Sequence, residues 1–321
     1  MFNSGLDSTP RLTNCIFTGN YAGRSGGGIF NNSGSPSLTN CIFTGNSTGW
    51  DGGGMVDSQG GSTLTGCTFN SNSAFWGGGM SNVHQLFRQP TLTNCLFIGN
   101  SAAQRGGAMD NYIAYVEMNN CTFAENSAPN GKALACSSYP MEPLTYLQAT
   151  NCILWNGGDE VWDGGLSIIA ITYSNVQGGW PGNGNVNNNP LFANPANGDY
   201  HLKSQGGRWD VNQNAWLIDS STSPCIDAGS PDSVWTAELW PHGKCINMGA
   251  YGGTPEASMS LSDAGNIADL DNNDLVDYTD LKAFVSKWLC RQVLLAEDLD
   301  RNGIVDLKDF AIFANEWQWE E

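Results

Sequence analysis

Apolar and polar residues alternate in short bursts along most of this chain, as in Leu38-Thr39-Asn40-Cys41-Ile42-Phe43, which is the two-residue period of a strand. The bursts recur around one phrase. It reads Asn14-Cys15-Ile16-Phe17-Thr18-Gly19-Asn20, then Asn40-Cys41-Ile42-Phe43-Thr44-Gly45-Asn46, with looser copies around Cys67, Cys95, Cys121 and Cys152. The six cysteines step by 26, 26, 28, 26 and 31 residues. A period in the twenties marks a solenoid, whose repeats bury their apolar faces only by stacking on neighbours. A leucine-rich solenoid needs Leu-x-x-Leu-x-Leu and a helical stretch in each repeat, and neither is present. Glycine clusters at 26–28, 52–54, 77–79 and 106–107 suit tight corners and oppose helices. The pattern therefore predicts an all-β parallel β-helix.

In such a fold successive coils lie about 4.8 Å apart, so equivalent residues form columns. Phe17, Phe43, Phe69, Phe97 and Phe123 are expected to stack inside, with Ile29, Met55, Met80, Met109 and Leu134 as a second apolar column. Asn20, Asn46, Asn72, Asn100, Asn126 and Asn156 fall where a corner is expected, and stacked amides there can hydrogen-bond along the column. Met1-Phe2-Asn3 aligns with Ile29-Phe30-Asn31, in the middle of a repeat. The natural protein is therefore expected to extend upstream, where further coils and an export signal would lie.

Composition fits this picture: 40 glycines and 14% charged residues in 321. The net charge of −18 argues against nucleic acid and anionic membrane as partners. It also divides the chain. Residues 1–256 hold 17 acids and 8 bases, whereas the short stretch 257–321 holds 14 acids and 5 bases, a shift that marks a domain boundary. Six of the ten cysteines recur at one place in the repeat and read as small, reduced, inward hydrophobes. Cys225 and Cys245 stand outside the register and are the better disulfide candidates. No apolar run is long enough to span a bilayer.

Four segments follow: β-helix repeats over 1–172, last coils and a cap over 173–256, a linker over 257–265, and a C-terminal domain over 266–321. Tyr173-Ser174-Asn175-Val176-Gln177-Gly178-Gly179, Asn189-Pro190-Leu191-Phe192, Gly198-Asp199-Tyr200-His201-Leu202, Ser223-Pro224-Cys225-Ile226-Asp227-Ala228-Gly229 and Asn247-Met248-Gly249-Ala250-Tyr251-Gly252-Gly253 resemble the final coils of bacterial extracellular right-handed β-helix proteins. These belong broadly to the pectate-lyase-like superfamily. The resemblance covers about residues 1–256 and implies a right-handed helix and an extracellular or cell-surface setting. It implies no single activity, because lyases, hydrolases and adhesins share the scaffold.

The C-terminal segment carries the most specific chemistry. Asp269, Asp271, Asn273, Asp277 and Asp280 place oxygens at positions 1, 3, 5, 9 and 12 of a loop; Asp298, Asp300, Asn302, Asp306 and Asp309 do so again 29 residues later. This is calcium-loop spacing, with backbone carbonyls of Leu275 and Ile304 at position 7, and it predicts two Ca2+ ions. Gly303 fills position 6 of the second loop and Asp274 that of the first, where the backbone needs positive φ. Val276 and Val305, at position 8, are expected to pair the loops back to back. A helix follows each loop, with Leu281, Phe284, Val285, Trp288 and Leu289 on one apolar face and Phe310, Phe313, Ala314 and Trp317 on the other. The duplicated loop–helix, with Asp rather than Glu at position 12, resembles a type I dockerin. That resemblance implies a calcium-dependent, small all-α domain that docks on a cohesin-like protein. It also implies a partner surface at loop positions 10 and 11, here Tyr278, Thr279, Leu307 and Lys308.

On the β-helix, Arg24, Trp50-Asp51, Phe75-Trp76 and Arg105 precede the glycine clusters and could form an outward stripe. Trp50, Trp76 and Arg24 are carbohydrate-binding candidates, since aromatics beside charged groups suit sugar rings. Asp51, Asp57, Asp110 and Arg105 are the catalytic candidates, because hydrolases on such folds use paired carboxylates and lyases a basic residue. The chain thus reads as a secreted β-helix module, non-catalytic and surface- or carbohydrate-associated, tethered to a cohesin-like partner by a calcium-binding dockerin. The alternative is a polysaccharide lyase or glycoside hydrolase acting in extracellular polysaccharide breakdown.

Overall fold

A computed structural model describes residues 1–85 and 88–320; Leu86, Phe87 and Glu321 lie outside it. Residues 1–188 form one compact unit and residues 189–321 a second. The first is a parallel β-solenoid of about seven turns, with three seven-stranded parallel sheets and a fourth of four strands. Each coil contributes one strand to each long sheet. In the second coil these are Ile29–Asn32, Ser37–Thr39 and Ile42–Thr44, and Ser47–Thr48 enters the short sheet.

The repeat register read from sequence is the register of the sheets. Phe17 pairs with Phe43, Phe43 with Phe69, Phe69 with Phe97 and Phe97 with Phe123. Their rings stack at 4.5–4.9 Å between centroids, and Phe43 to Phe123 are fully buried. Each such ring contributes roughly 2–3 kcal/mol by burial. Ile29, Met55, Met80, Met109 and Leu134 form the second column in register. Phe2 and Asn3 pair with Phe30 and Asn31, as the alignment of Met1 with a mid-repeat position requires.

Two polar devices turn the coils. The first is the expected asparagine ladder: Asn72 Nδ2 donates to Asn100 Oδ1 at 2.9 Å and to the Phe43 carbonyl at 2.9 Å, and the pattern repeats from Asn20 to Asn156. These amides satisfy backbone that the bend leaves without a strand partner. The second device was not anticipated. The asparagine before each cysteine (Asn14, Asn40, Asn94, Asn120 and Asn151) sits at φ of 49–57°, and Gly66 takes that place in the third copy at 62°. Asn and Gly interchange there because both tolerate the left-handed region. The glycine clusters serve close packing of coils: a Cβ on Gly53 would lie 2.3 Å from the Gly78 carbonyl oxygen.

No disulfide links any of the ten cysteines among the described residues, so the expected Cys225–Cys245 bridge is absent. Burial pushes the Cys41 and Cys121 thiols above their ordinary range and Cys136 up to about 12. That keeps them neutral, as inward hydrophobes should be.

The expected last coils continue the parallel sheets only as far as Asn175–Val176, among the described residues. Beyond residue 188 the chain forms two small antiparallel pairs, Phe192–Asn194 with Asp199–Leu202 and Arg208–Asp210 with Ala215–Leu217. Asp199 there is held by Arg208 at 3.0 Å and by His201 at 2.7 Å, and His201 stacks on Tyr251. Two helices follow, α1 (Tyr278–Ser286) and α2 (Leu307–Asn315). No helix among the described residues is long and apolar enough to cross a membrane.

The helices depart from the expected faces. Phe284 and Phe313 are buried and stack at 5.4 Å, but α1 stops at Ser286. Leu289, beyond the helix end, is consequently exposed with φ of 62°, and Val285 is exposed within α1, one residue round from buried Phe284. Phe310 and Ala314 also face outward. Val276 and Val305 are both buried in the same small core, yet they do not pair with each other. Val276 exchanges backbone hydrogen bonds with Gln318 and Trp319, and Val305 with Leu289 and Cys290. Each loop is thus bound to the segment that follows the other loop's helix.

Candidate functional site

Both C-terminal loops are built by the same hydrogen bonds. At position 1, Asp269 accepts from the N–H groups of Asn273 and Asp274 at 3.1 and 2.9 Å, and Asp298 from those of Asn302 and Gly303 at 3.0 and 2.7 Å. At position 12, Asp280 accepts from Asp271 and Asp277, and Asp309 from Asp300 and Asp306. The asparagines at position 5 accept from the N–H of Leu275 and Ile304. Asp274 and Gly303 take φ of 70° and 86°, as position 6 requires.

This wrapping brings carboxylates together. Asp269, Asp271 and Asp280 each offer an oxygen, and those oxygens lie within 4.8 Å of one another; Asp298, Asp300 and Asp309 do the same. In each trio the first and last are buried and the middle one is exposed. Burial pushes the Asp269 and Asp298 carboxyls above their ordinary range, and the facing Asp280 and Asp309 charges add to it. A set of hard oxygens with no nitrogen or sulfur fits a cation of the calcium class. Asp277 and Asp306 do not join the trios. They are the N-caps of α1 and α2, accepting from Thr279 and Lys308 N–H at 2.7 and 2.8 Å, and each closes a capping box with the Asp at position 12.

Tyr278, Thr279, Leu307 and Lys308 occupy the exposed first turns of the two helices. Tyr278 packs edge-on against Trp317 at 5.2 Å.

On the solenoid the predicted stripe exists through Asp51, Trp76 and Arg105, with Ser25 rather than Arg24 in register. The column in register is Ser25, Asp51, Trp76, Arg105 and Asn130. Arg24 is exposed beside it, and Trp50 leans on Phe75 and Trp76 at 6.3 and 5.5 Å. The two outlying acids separate sharply. Asp57 is fully buried on the inward column of Asn31, Asn82 and Asn111, accepting from Asn31 Nδ2 and Ser62 N–H, so it is a structural rung with no access to a substrate. Asp110 lies on the outward column with Ser81, Ala135 and Trp162, covered by Arg105, whose Nε donates to it at 2.8 Å. Burial pushes its carboxyl up to about 6, against the pull of the Arg105 charge and hydrogen bond. Burial also raises Asp51, against the Ser25 hydrogen bond and the Arg105 charge. Trp162, which with Tyr112 flanks Arg105, was missed because it follows the break in the period after Cys152.

Residues 94–229 match the model of a family described as disaggregatase related. The match starts at the fourth copy of the Asn-Cys phrase and takes in Arg105, Asp110 and Trp162. The C-terminal loops lie beyond it. No curated protein matches the chain, and no solved structure does.

Proposed function

We propose that this protein is a non-catalytic, secreted β-helix module, surface- or carbohydrate-associated, that is tethered to a cohesin-like partner by a calcium-ordered, dockerin-like pair of loops. The observation that carries this reading is the equivalence of the two loops: the same three carboxylates converge in each, through the same backbone hydrogen bonds and onto the same capping box. Scattered surface acids would have no reason to repeat that wiring. Three close carboxylates repel one another until a cation joins them, so calcium binding and the fold of this segment are linked. Asn273, Asn302 and the carbonyls of Leu275 and Ile304 complete the ligand set. The exposed residues at positions 10 and 11 then form the docking surface.

Calorimetric titration of the full chain with Ca2+ tests the reading. Two sites per chain are expected, with chelator rendering residues 266–320 protease-sensitive while 1–188 resist. Mixing the full chain with a panel of cohesins should give complexes that chelator dissolves. Absence of calcium binding would sink the proposal outright; calcium binding without any cohesin complex would remove the tether alone.

The alternative, a polysaccharide lyase or glycoside hydrolase, draws on Asp110, a carboxyl pushed up to about 6 beside Arg105 and near Asp51. Asp110 is only 1% exposed, which favours a structural pair over a proton donor to substrate. Release of reducing or unsaturated ends from polysaccharide, abolished by Asp110→Asn, would reverse that judgement.

A further inference from the structure

Residues 257–260, which lead from the cap to the C-terminal loops, are buried. Ser258 Oγ donates to the Leu202 carbonyl at 2.6 Å, and the N–H groups of Met259 and Ser260 donate to the Gly207 and Pro241 carbonyls, each at 2.8 Å. An earlier stretch of the cap, residues 240–244, reaches both loops. Asn272, at position 4 of the first loop, accepts from His242 Nε2 at 3.1 Å. His242 is buried, lies 4.4 Å from the Trp235 ring, and takes the Lys244 N–H on Nδ1. Lys244 Nζ in turn pairs with Asp274, at position 6 of the same loop, at 2.5 Å. Arg301, at position 4 of the second loop, bridges the two parts. Its Nη1 donates to the Leu295 and Asp298 carbonyls at 3.0 and 2.9 Å, and its Nη2 to the Trp240 carbonyl at 3.2 Å. Asn272, Asp274 and Arg301 have φ of 58°, 70° and 58°. Residues with a side chain keep that conformation only where their surroundings fix it, and here the wrapped loop does so.

We propose that residues 240–244 clasp both loops to the cap, so that cap and loops order as one unit and calcium occupancy of the loops sets the order of the cap. This rests on the calcium reading above and adds to it a coupling between two parts of the chain. None of the three clasped loop residues belongs to the ligand set. In a wrapped loop they stand where His242, Lys244 and the Trp240 carbonyl meet them. Repulsion within an unneutralised carboxylate trio opens the loop and carries those contacts away. Linkage makes the effect mutual: what the clasp adds to the loops' hold on an ion, the ion adds to the stability of the cap. His242 and Lys244 are thus positioning residues, acting on the loops through Asn272 and Asp274.

The test is hydrogen exchange of the full chain with Ca2+ or chelator, with binding followed by calorimetry in parallel. The Gly229 and Met248 amides, bonded inside the cap to the Ile246 and Cys225 carbonyls, report its order. Chelator should speed their exchange roughly tenfold or more and leave the strands of residues 1–188 unchanged. Asn272→Gly combined with Lys244→Met removes two of the three contacts and spares every candidate ligand. Glycine tolerates the positive φ at position 272, and Asp274 is exposed enough to lose its partner cheaply. The double variant should still bind two ions, about fivefold more weakly at one site, and its cap should respond less to chelator. Cap exchange indifferent to chelator while two ions bind, or a double variant indistinguishable from the parent, would remove the clasp and keep the calcium sites. No calcium binding would remove both.

Discussion

The solenoid and the C-terminal loop pair both repeat themselves, but they repeat different physics. In the solenoid each coil lays like on like: Phe43 on Phe69 at 4.5 Å, and Asn72 on Asn100 through amide hydrogen bonds. Stacking similar apolar groups and amides is favourable in itself, so every coil stabilises the next. The loops instead point three carboxylates at one place, twice. Like charges gathered that way are unfavourable until something positive joins them. Where the solenoid does bury an acid on its outward column, it supplies the counter-charge from its own chain, Arg105 against Asp110. Duplication therefore signals self-sufficiency in one region, whereas in the other it gathers like charges that, on the function proposed above, a calcium ion would balance.

The contrast breaks most visibly in the core. Phe69→Ala leaves a hole in the middle of the ring column and should cost about 3–5 kcal/mol, read from denaturant unfolding followed by the far-ultraviolet β signal. Calcium should not restore that loss. A cost below about 1 kcal/mol would mean the column is not what holds the coils together. Next in size is the Asp110 effect on pH dependence. Its folded pKa, about 6, is raised above the unfolded value. The protonated form therefore favours folding: that contribution is full below about pH 4 and is lost as pH rises through 6. Asp110→Asn should flatten the stability profile of the solenoid between those limits, on the order of 2 kcal/mol. A profile unchanged by the substitution would show that the carboxyl titrates normally.

The same contrast explains what could be read without coordinates. The columns were legible because stacking forces the same residue type to recur at the same interval, so Phe17 to Phe123 and Asn20 to Asn156 announce their own register. The loop oxygens were legible because the same side-chain oxygens recur at the same positions of two loops 29 residues apart. Less legible was everything that depends on where an element stops. The face expected to include Leu289 failed because α1 ends at Ser286 and the chain turns at Leu289 to bond Val305. The Trp162 side of Arg105 was invisible for a related reason. Trp162 belongs to a coil whose glycine cluster has decayed, so no period pointed to it. Asp57 and Asp110 show how small the margin is: each is placed in a strand of the same sheet, two residues past Met55 and one past Met109 respectively. Yet Asp57 falls on the inward face and Asp110 on the outward one.

The smallest expected effect bears on the point where the two kinds of repetition meet, position 9 of the loops. Calcium-loop spacing makes Asp277 a ligand, whereas the structure makes it the cap of α1 and leaves it out of the carboxylate trio. Asp277→Ser and Asp277→Ala separate the roles. Serine keeps a side-chain acceptor for the Thr279 N–H and removes the charge; alanine removes both. If capping is the role, the serine variant should match the parent within a few tenths of a kcal/mol, while alanine loses about 1 kcal/mol of stability without metal. Calcium affinity should change less than roughly threefold in the serine variant, since position 9 commonly acts through water. A fall of about tenfold or more with serine would return Asp277 to the ligand set. Asp306, wired identically, is an internal replicate, and its serine variant should behave the same way if the two loops are equivalent.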